Sequence, residues 1–161
     1  MKKSILDGKR ILAVDDEPDV LNVLEEEITM GCLDCKVDKA TTYEAAAEKL
    51  KSQKYDLAIL DIMGVRGFDL LSLAVGQKLK VAMLTAHALS PEALKRSYEM
   101  GAMAYLPKEK LGEIVPFLED VLKYEYMTGW KRLMEKLKGF FDDKFASGWE
   151  KKTGLPWEFG P

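Results

Sequence analysis

The chain has 161 residues, 47% of them hydrophobic and 32% charged, which is typical of one soluble globular domain with a single core. A formal net charge of −3 argues against direct nucleic-acid binding, which normally requires a basic domain or stripe. No apolar run approaches the roughly 18 residues of a membrane span, and the N-terminal apolar stretch is too short for a signal peptide, so a cytoplasmic location is expected.

Short β-type runs alternate with helical segments along most of the chain. The predicted strands are 10–14, 36–40, 57–60, 81–84 and 104–106, and the predicted helices are 18–30, 42–50, 68–75, 91–100 and one from residue 113 onward. Five successive strand–helix units predict an α/β fold with one parallel sheet and helices on both faces. Right-handed crossovers and the chain length favour a flavodoxin-like, doubly wound sheet with strand order 2-1-3-4-5.

A CxxC pair, Cys32 and Cys35, follows the first predicted helix. A redox CxxC would instead open a helix after a strand, and a zinc site needs about four ligands. We therefore interpret the pair as two reduced thiols in a turn, with a metal shared between two chains as the main alternative.

The chemistry-bearing residues follow the predicted strands, at the carboxyl edge where ligands bind in such sheets. Asp15 and Asp16 follow strand one, Asp61 ends strand three, Thr85 ends strand four and Lys108 follows strand five. Crowded carboxylates repel one another unless a divalent cation offsets the repulsion, and oxygen ligands suit Mg2+. With a lysine and a hydroxyl beside them, they indicate a site for phosphoryl transfer.

At this point the sequence resembles the receiver domain of two-component signalling. The matching segments are ILAVDDEPDV, YDLAILDIM, GFDLL, VAMLTAHA and GAMAYLPK, in family order over about residues 8–123. The resemblance implies a phosphorylation-dependent switch, with Asp61 attacking a phosphohistidine on a sensor histidine kinase or phosphotransfer protein to give an acyl phosphate. It implies no turnover of separate substrates, so the chain is not expected to be an enzyme.

The resemblance also implies a role for each site residue. Asp16 would ligate Mg2+ directly, Asp15 mainly through water, and Asp61 and the backbone carbonyl of Met63 would complete the protein ligands. Lys108 would pair with the phosphoryl group.

Two further residues would form the switch. Thr85 would swing toward phosphorylated Asp61, and Tyr105 would change rotamer with it, altering the face made by helix four, strand five and helix five.

The sequence departs from the family pattern at two places and adds one unusual residue. The loop after Asp61 is about two residues shorter and lacks the usual proline. Lys108 is followed by Glu109 rather than proline, so we expect a trans bond there and a rearranged turn into helix five. His87 lies at the rim, where it would tune water access, sense pH or be an ordinary exposed loop residue.

Structural roles compete with these assignments at single positions. Asp15 or Asp16 would alternatively cap helix one, Thr85 would cap a turn, and Tyr105 would be a half-buried strand aromatic. Three other functions are alternatives: a flavodoxin-like cofactor binder, an interaction module that has lost phosphorylation, and a phosphatase. The acidic loop after strand one opposes the first, intact Asp61, Thr85 and Lys108 oppose the second, and the third lacks an additional general acid.

The expected division is a receiver domain at 1–123 and a mostly helical, aromatic tail at 124–161. The tail contains all three tryptophans, and its apolar residues recur at helical spacing: Trp130, Leu133, Met134, Leu137, Phe140, Phe141 and Phe145. Such a stripe must be covered. We expect the stripe to bury against the same chain's receiver or against a second copy of the chain. Because it would project beyond helix five, a homodimer through helix five and the tail is the favoured outcome, and the tail's acidic residues oppose membrane binding.

Overall fold

The computed structural model describes residues 3–154. Its sheet has five parallel strands: β1 (Arg10–Val14), β2 (Lys36–Ala40), β3 (Leu57–Asp61), β4 (Lys80–Thr85) and β5 (Ala104–Pro107). The strand order is β2-β1-β3-β4-β5, so the predicted doubly wound topology is confirmed.

Helices connect and flank these strands: α1 (Pro18–Gly31), α2 (Tyr43–Ser52), α3 (Gly67–Gly76), α4 (Pro91–Glu99), α5 (Ile114–Lys123), α6 (Tyr126–Lys144) and α7 (Trp149–Thr153). Helix α1 packs against α5, and α2 against α3. Local chemistry sets the helix starts: Thr42 accepts a hydrogen bond from the Ala45 amide, and Ser90 caps α4 in the same way, each at 3.1 Å. Within 3–154 we find no helix long and apolar enough to cross a membrane.

The predicted trans bond between Lys108 and Glu109 is confirmed, because no peptide bond in the described chain is cis. A 3-10 helix, Lys108–Glu113, then leads into α5. This is the rearranged turn that the missing proline predicts.

The central strands are buried throughout. Residues 11–14 of β1 and all five residues of β3 are buried, including Asp61, which is only 4% exposed. The core therefore extends to the carboxyl edge of the sheet, and Asp15 and Asp61 lie at that edge in a poorly hydrated region.

The tail does not project from helix five. Tyr124 and Glu125 are extended and reverse the chain, so that α6 lies against α5 and β5 and α7 lies against α4. The apolar stripe is buried within one chain, with Trp130 and Phe141 both 0% exposed. Of the two expected coverings, the structure shows the chain's own receiver, so the argument that favoured a two-fold partner is wrong. The homodimer itself stays a prediction without that support. The division at residue 123 stays a prediction.

The interpretation of the cysteines as reduced thiols is also wrong. Cys32 and Cys35 form a disulfide, with their Cα atoms 6.0 Å apart. The cause is the turn between α1 and β2, where Asp34 takes a left-handed conformation (φ 57°) and brings the two side chains together.

Candidate functional site

The register of the sheet brings the carboxylates that follow β1 and β3 together. Val14 pairs with Leu60, so Asp15 and Asp61 leave neighbouring strands at the same level. Oxygen atoms of Asp15, Asp16 and Asp61 all lie within 4.8 Å of one another. Asp15 is 0% and Asp61 4% exposed, whereas Asp16 faces solvent. The predicted acidic cluster is present, with one open side.

Lys108 enters this cluster from the end of β5. Its Nζ lies 2.8 Å from Asp15 Oδ2 and 3.4 Å from Asp61 Oδ1, and its side chain is only 9% exposed. Glu17, which sequence reasoning did not single out, lies 3.6 Å from the same nitrogen. The lysine is thus placed to contact any anionic group brought up to Asp61.

Burial and charge shift the pKa values of these groups. Burial, with the charges of Asp15 and Asp16, raises the pKa of Asp61 to about 7, although Lys108 opposes the shift. Burial likewise raises the pKa of Asp15, against the opposing effect of its ion pair with Lys108. For Lys108, burial lowers the pKa, but the nearby carboxylates outweigh it and hold the pKa above its ordinary value.

The donor set fits a small divalent cation. Asp15 Oδ2 is buried, and the Lys108 amine pairs with it at 2.8 Å, so the cluster already holds one cationic group against its carboxylates. Three carboxylates with one solvent-facing side suit Mg2+, which retains several of its waters. Met63 lies in the turn after β3 and is 53% exposed, and its ligation of a cation through the backbone carbonyl stays a prediction.

Two glycines shape the shortened loop after Asp61, and sequence reasoning missed both. Gly64 has φ +83°, and a Cβ there would approach Asp16 Cγ to 2.6 Å. At Gly67 a Cβ would collide with the Asp61 carbonyl oxygen and lie 2.7 Å from Ile62 Cα. The loop therefore needs glycine at both positions because its backbone lies directly against the acidic cluster.

Thr85 and Tyr105 hold the same segment of the β4–α4 loop. Thr85 Oγ1 accepts a hydrogen bond from the Ala88 amide at 2.9 Å. The Tyr105 hydroxyl donates to the Ala88 carbonyl at 2.8 Å and accepts from the Ser90 amide at 3.0 Å. In this state Thr85 makes the turn-capping contact that was its alternative role. Tyr105 is fully buried rather than half-buried.

His87 lies at the rim, as predicted. Its side chain is 74% exposed and its Nε2 lies 3.8 Å from Glu17 Oε1. This exposure fits the alternative of an ordinary loop residue, and a role for His87 in water access or pH sensing stays a prediction.

Comparison with known proteins identifies relatives of this arrangement. A family profile described as "Response regulator receiver domain" matches residues 11–118. The heme response regulator HssR of Staphylococcus aureus is 35% identical over 117 residues, covering 70% of this chain and 50% of that protein. The two-component response regulator ARR18 of Arabidopsis thaliana is 37% identical over 107 residues, covering 63% of this chain and 16% of that protein. The chain thus spans half or less of the length of these two curated relatives.

Solved structures give the same fold. The response regulator TrrA of Thermotoga maritima, solved with Mg(2+)-BeF, is similar with a TM-score of 0.61 and 33% identity, covering 71% of this chain and 99% of that one. A CheY-like receiver domain protein of Methanospirillum hungatei covers 89% of this chain and 98% of its own, with a TM-score of 0.56 and 26% identity.

Proposed function

The chain belongs to the response-regulator receiver family, and from that premise we propose that it is a phosphorylation-dependent signalling switch whose phosphoacceptor is Asp61. The observation that supports this most directly is the position of the buried Asp61 carboxylate, within 4.8 Å of Asp15 and Asp16 oxygens and 3.4 Å from the Lys108 amine.

In the proposed reaction an Asp61 carboxylate oxygen attacks the phosphorus of a phosphohistidine. The new O–P bond forms as the P–N bond to the donor imidazole breaks. The electron pair of the P–N bond stays on the imidazole nitrogen, which takes up a proton from solvent as the ring leaves. Lys108 offsets negative charge on the transferred oxygens from its position beside Asp61. Asp15, Asp16, Asp61 and the Met63 carbonyl would hold Mg2+, which supplies charge neutralisation at the phosphoryl group and keeps Asp61 ionised.

The same proposal assigns the switch to Thr85 and Tyr105. When a phosphoryl group is on Asp61, the Thr85 hydroxyl turns to donate to one of its oxygens and releases the Ala88 amide that it now holds. Tyr105 shares Ala88 through its hydroxyl, so a shift of this loop changes the partners of both residues.

The proposed partners are proteins. The phosphoryl donor would be a sensor histidine kinase or a phosphotransfer protein, and the chain would assist only its own phosphorylation and dephosphorylation rather than turn over separate substrates. The cytoplasmic location inferred from the sequence stays a prediction.

Labelling by a small phosphodonor tests the proposal. With acetyl phosphate and Mg2+ the chain should gain one acid-labile, hydroxylamine-sensitive phosphoryl group, and Asp61→Asn should gain none. Asp143→Asn, at an exposed position on α6, is the matched control and should label like the unaltered chain. Persistent labelling of Asp61→Asn, or full labelling in EDTA, would overturn the proposed chemistry.

A further inference from the structure

The tail helices cover one particular face of the receiver fold, formed by α4, β5 and α5 and called here the docking face. The Trp130 indole is buried and its Nε1 donates to the Ala102 carbonyl at 2.8 Å. Farther along α6, the Phe141 ring lies 5.9 Å from the Tyr105 ring, centre to centre. Trp130 and Phe141 thus anchor α6 along the length of β5, and Phe141 touches the residue assigned to the switch.

Charge is complementary across this interface. The Asp120 carboxylate on α5 accepts a hydrogen bond from the Lys136 amine of α6 at 2.8 Å, and it lies 3.5 Å from the Arg132 guanidinium. Glu109, next to Lys108, lies 3.5 Å from Lys144 at the end of α6. The docking face is therefore apolar, with acidic residues along the edge where α5 begins and ends. The ligand it fits is an amphipathic helix with an aromatic face and basic flanks, and α6 is such a helix.

Two routes join the docking face to the phosphoryl site. The first runs from Thr85 through Ala88 to the Tyr105 hydroxyl, and the Tyr105 ring then meets Phe141. The second begins at Lys108 and passes to its neighbour Glu109, which pairs with Lys144. Any displacement of Thr85 or Lys108 toward a phosphoryl group therefore moves residues that hold α6.

Helix α7 is the last and shortest helix of the described tail. It has only five residues and lies beside α4, with a groove of about 400 Å³ between them. It is anchored by Trp149, whose ring packs 5.2 Å from Phe145 and whose Nε1 donates to Asp142 at 2.9 Å. Since Phe145 also stacks on Phe141, loss of the Phe141 contact would loosen the α7 anchor.

We propose that the docking face is an interaction surface for a basic, aromatic amphipathic helix, and that α6 and α7 fill it as an intramolecular competitor until Asp61 is phosphorylated. The proposal rests on the function proposed above. Phosphorylation weakens tail docking, which makes both the face and the aromatic stripe available to a protein partner.

Hydrogen exchange of the full chain, with and without Mg2+ and fluoroberyllate, tests this directly. Fluoroberyllate stands in for the phosphoryl group, and the 19F resonance of its bound form reports site occupancy independently of the tail. Amides of residues 126–153 should exchange about fivefold faster or more in the occupied state, while those of β1 and β3 should not. Absence of a bound 19F resonance would overturn the proposed function and this inference together. Bound fluoroberyllate with unchanged or slower exchange in the tail would overturn the inference alone.

Linkage supplies a reciprocal test, because two coupled equilibria must shift each other by the same factor. Trp149→Ala removes the α7 anchor and should tighten fluoroberyllate binding about fivefold. Lys151→Ala, at an exposed position on the same helix, is the control and should bind like the unaltered chain. Equal affinities for the two variants would show that the tail and the phosphoryl site are not coupled. The exchange experiment uses the unaltered chain and does not depend on whether Trp149→Ala folds.

Discussion

Replacing Asp61 with asparagine should stabilise the metal-free chain while removing the proposed phosphoacceptor. The carboxyl of Asp61 is 4% exposed and faces Asp15, and its pKa is about 7 instead of the ordinary 3.8. Between these two values the folded chain keeps a proton that the unfolded chain has released. The free energy of unfolding therefore falls as the pH rises from about 4 to about 7 and levels off above that.

The pKa difference sets the size of the effect. Each pKa unit corresponds to about 1.4 kcal/mol, so the shift from 3.8 to about 7 places an upper bound of about 4 kcal/mol on the destabilisation. Water entering from the open side, where Asp16 is exposed, screens part of this repulsion. We expect the Asp61→Asn substitution to raise the free energy of unfolding by about 2 kcal/mol at about pH 8 in EDTA.

Urea denaturation at a series of pH values measures this effect. The stability of the Asp61→Asn variant should change little between about pH 4 and pH 7. The Asp143→Asn variant, altered at an exposed position, should lose stability over this range as the unaltered chain does. The reasoning is refuted if Asp61→Asn is no more stable than the unaltered chain at about pH 8 and its stability still falls over the same pH range.

The other predictions concern the cation, the tail and the loop after β3. Mg2+ at about ten times its dissociation constant should raise the free energy of unfolding by roughly 1.4 kcal/mol, and Asp16→Ala should greatly reduce this gain in thermal melts. Equal melts with Mg2+ and with EDTA would contradict the assigned metal site. Trp130→Ala should cost about 3–5 kcal/mol in urea denaturation, because the residue is fully buried and its indole satisfies a carbonyl. A loss below about 1 kcal/mol would mean that the indole is not buried in solution. Gly67→Ala should slow acetyl-phosphate labelling by up to about 100-fold, since its Cβ would displace the backbone beneath Asp61, and an unchanged rate would contradict the tight loop.

The sequence predicted the sheet and the clustering of side chains at its carboxyl edge, because both depend on local patterns. Short apolar β-type runs alternate with segments of helical spacing, and this pattern predicts five strand–helix units. In a parallel sheet ligands bind at the carboxyl ends of the strands, so the residues after each strand are the candidates for a site. Asp15, Asp61 and Lys108 then come together because the strand register requires it.

The tail and the cysteines were harder to predict because each depends on a few backbone angles. The helical spacing of the stripe correctly indicates a helix that must be buried, but the extended Tyr124 and Glu125 determine what covers it. Similarly, the left-handed Asp34 brings Cys32 and Cys35 into bonding distance, and spacing alone favoured a reduced pair.

The roles of Gly64 and Gly67 required coordinates for a different reason. Each glycine is needed because its backbone lies close to another residue, Asp16 for Gly64 and Asp61 for Gly67. The sequence shows that the loop after Asp61 is short and lacks proline, which indicates that glycine is needed for its tight backbone. It does not show which residue each glycine lies against.

Locating the phosphoryl group on the chain tests the central claim most directly. After treatment with acetyl phosphate and Mg2+, reduction with borohydride converts an aspartyl phosphate to homoserine, which fragment masses identify. The account predicts homoserine at position 61, with Asp15 and Asp16 unmodified. Conversion at another aspartate, or no conversion in a chain that binds Mg2+, would contradict it.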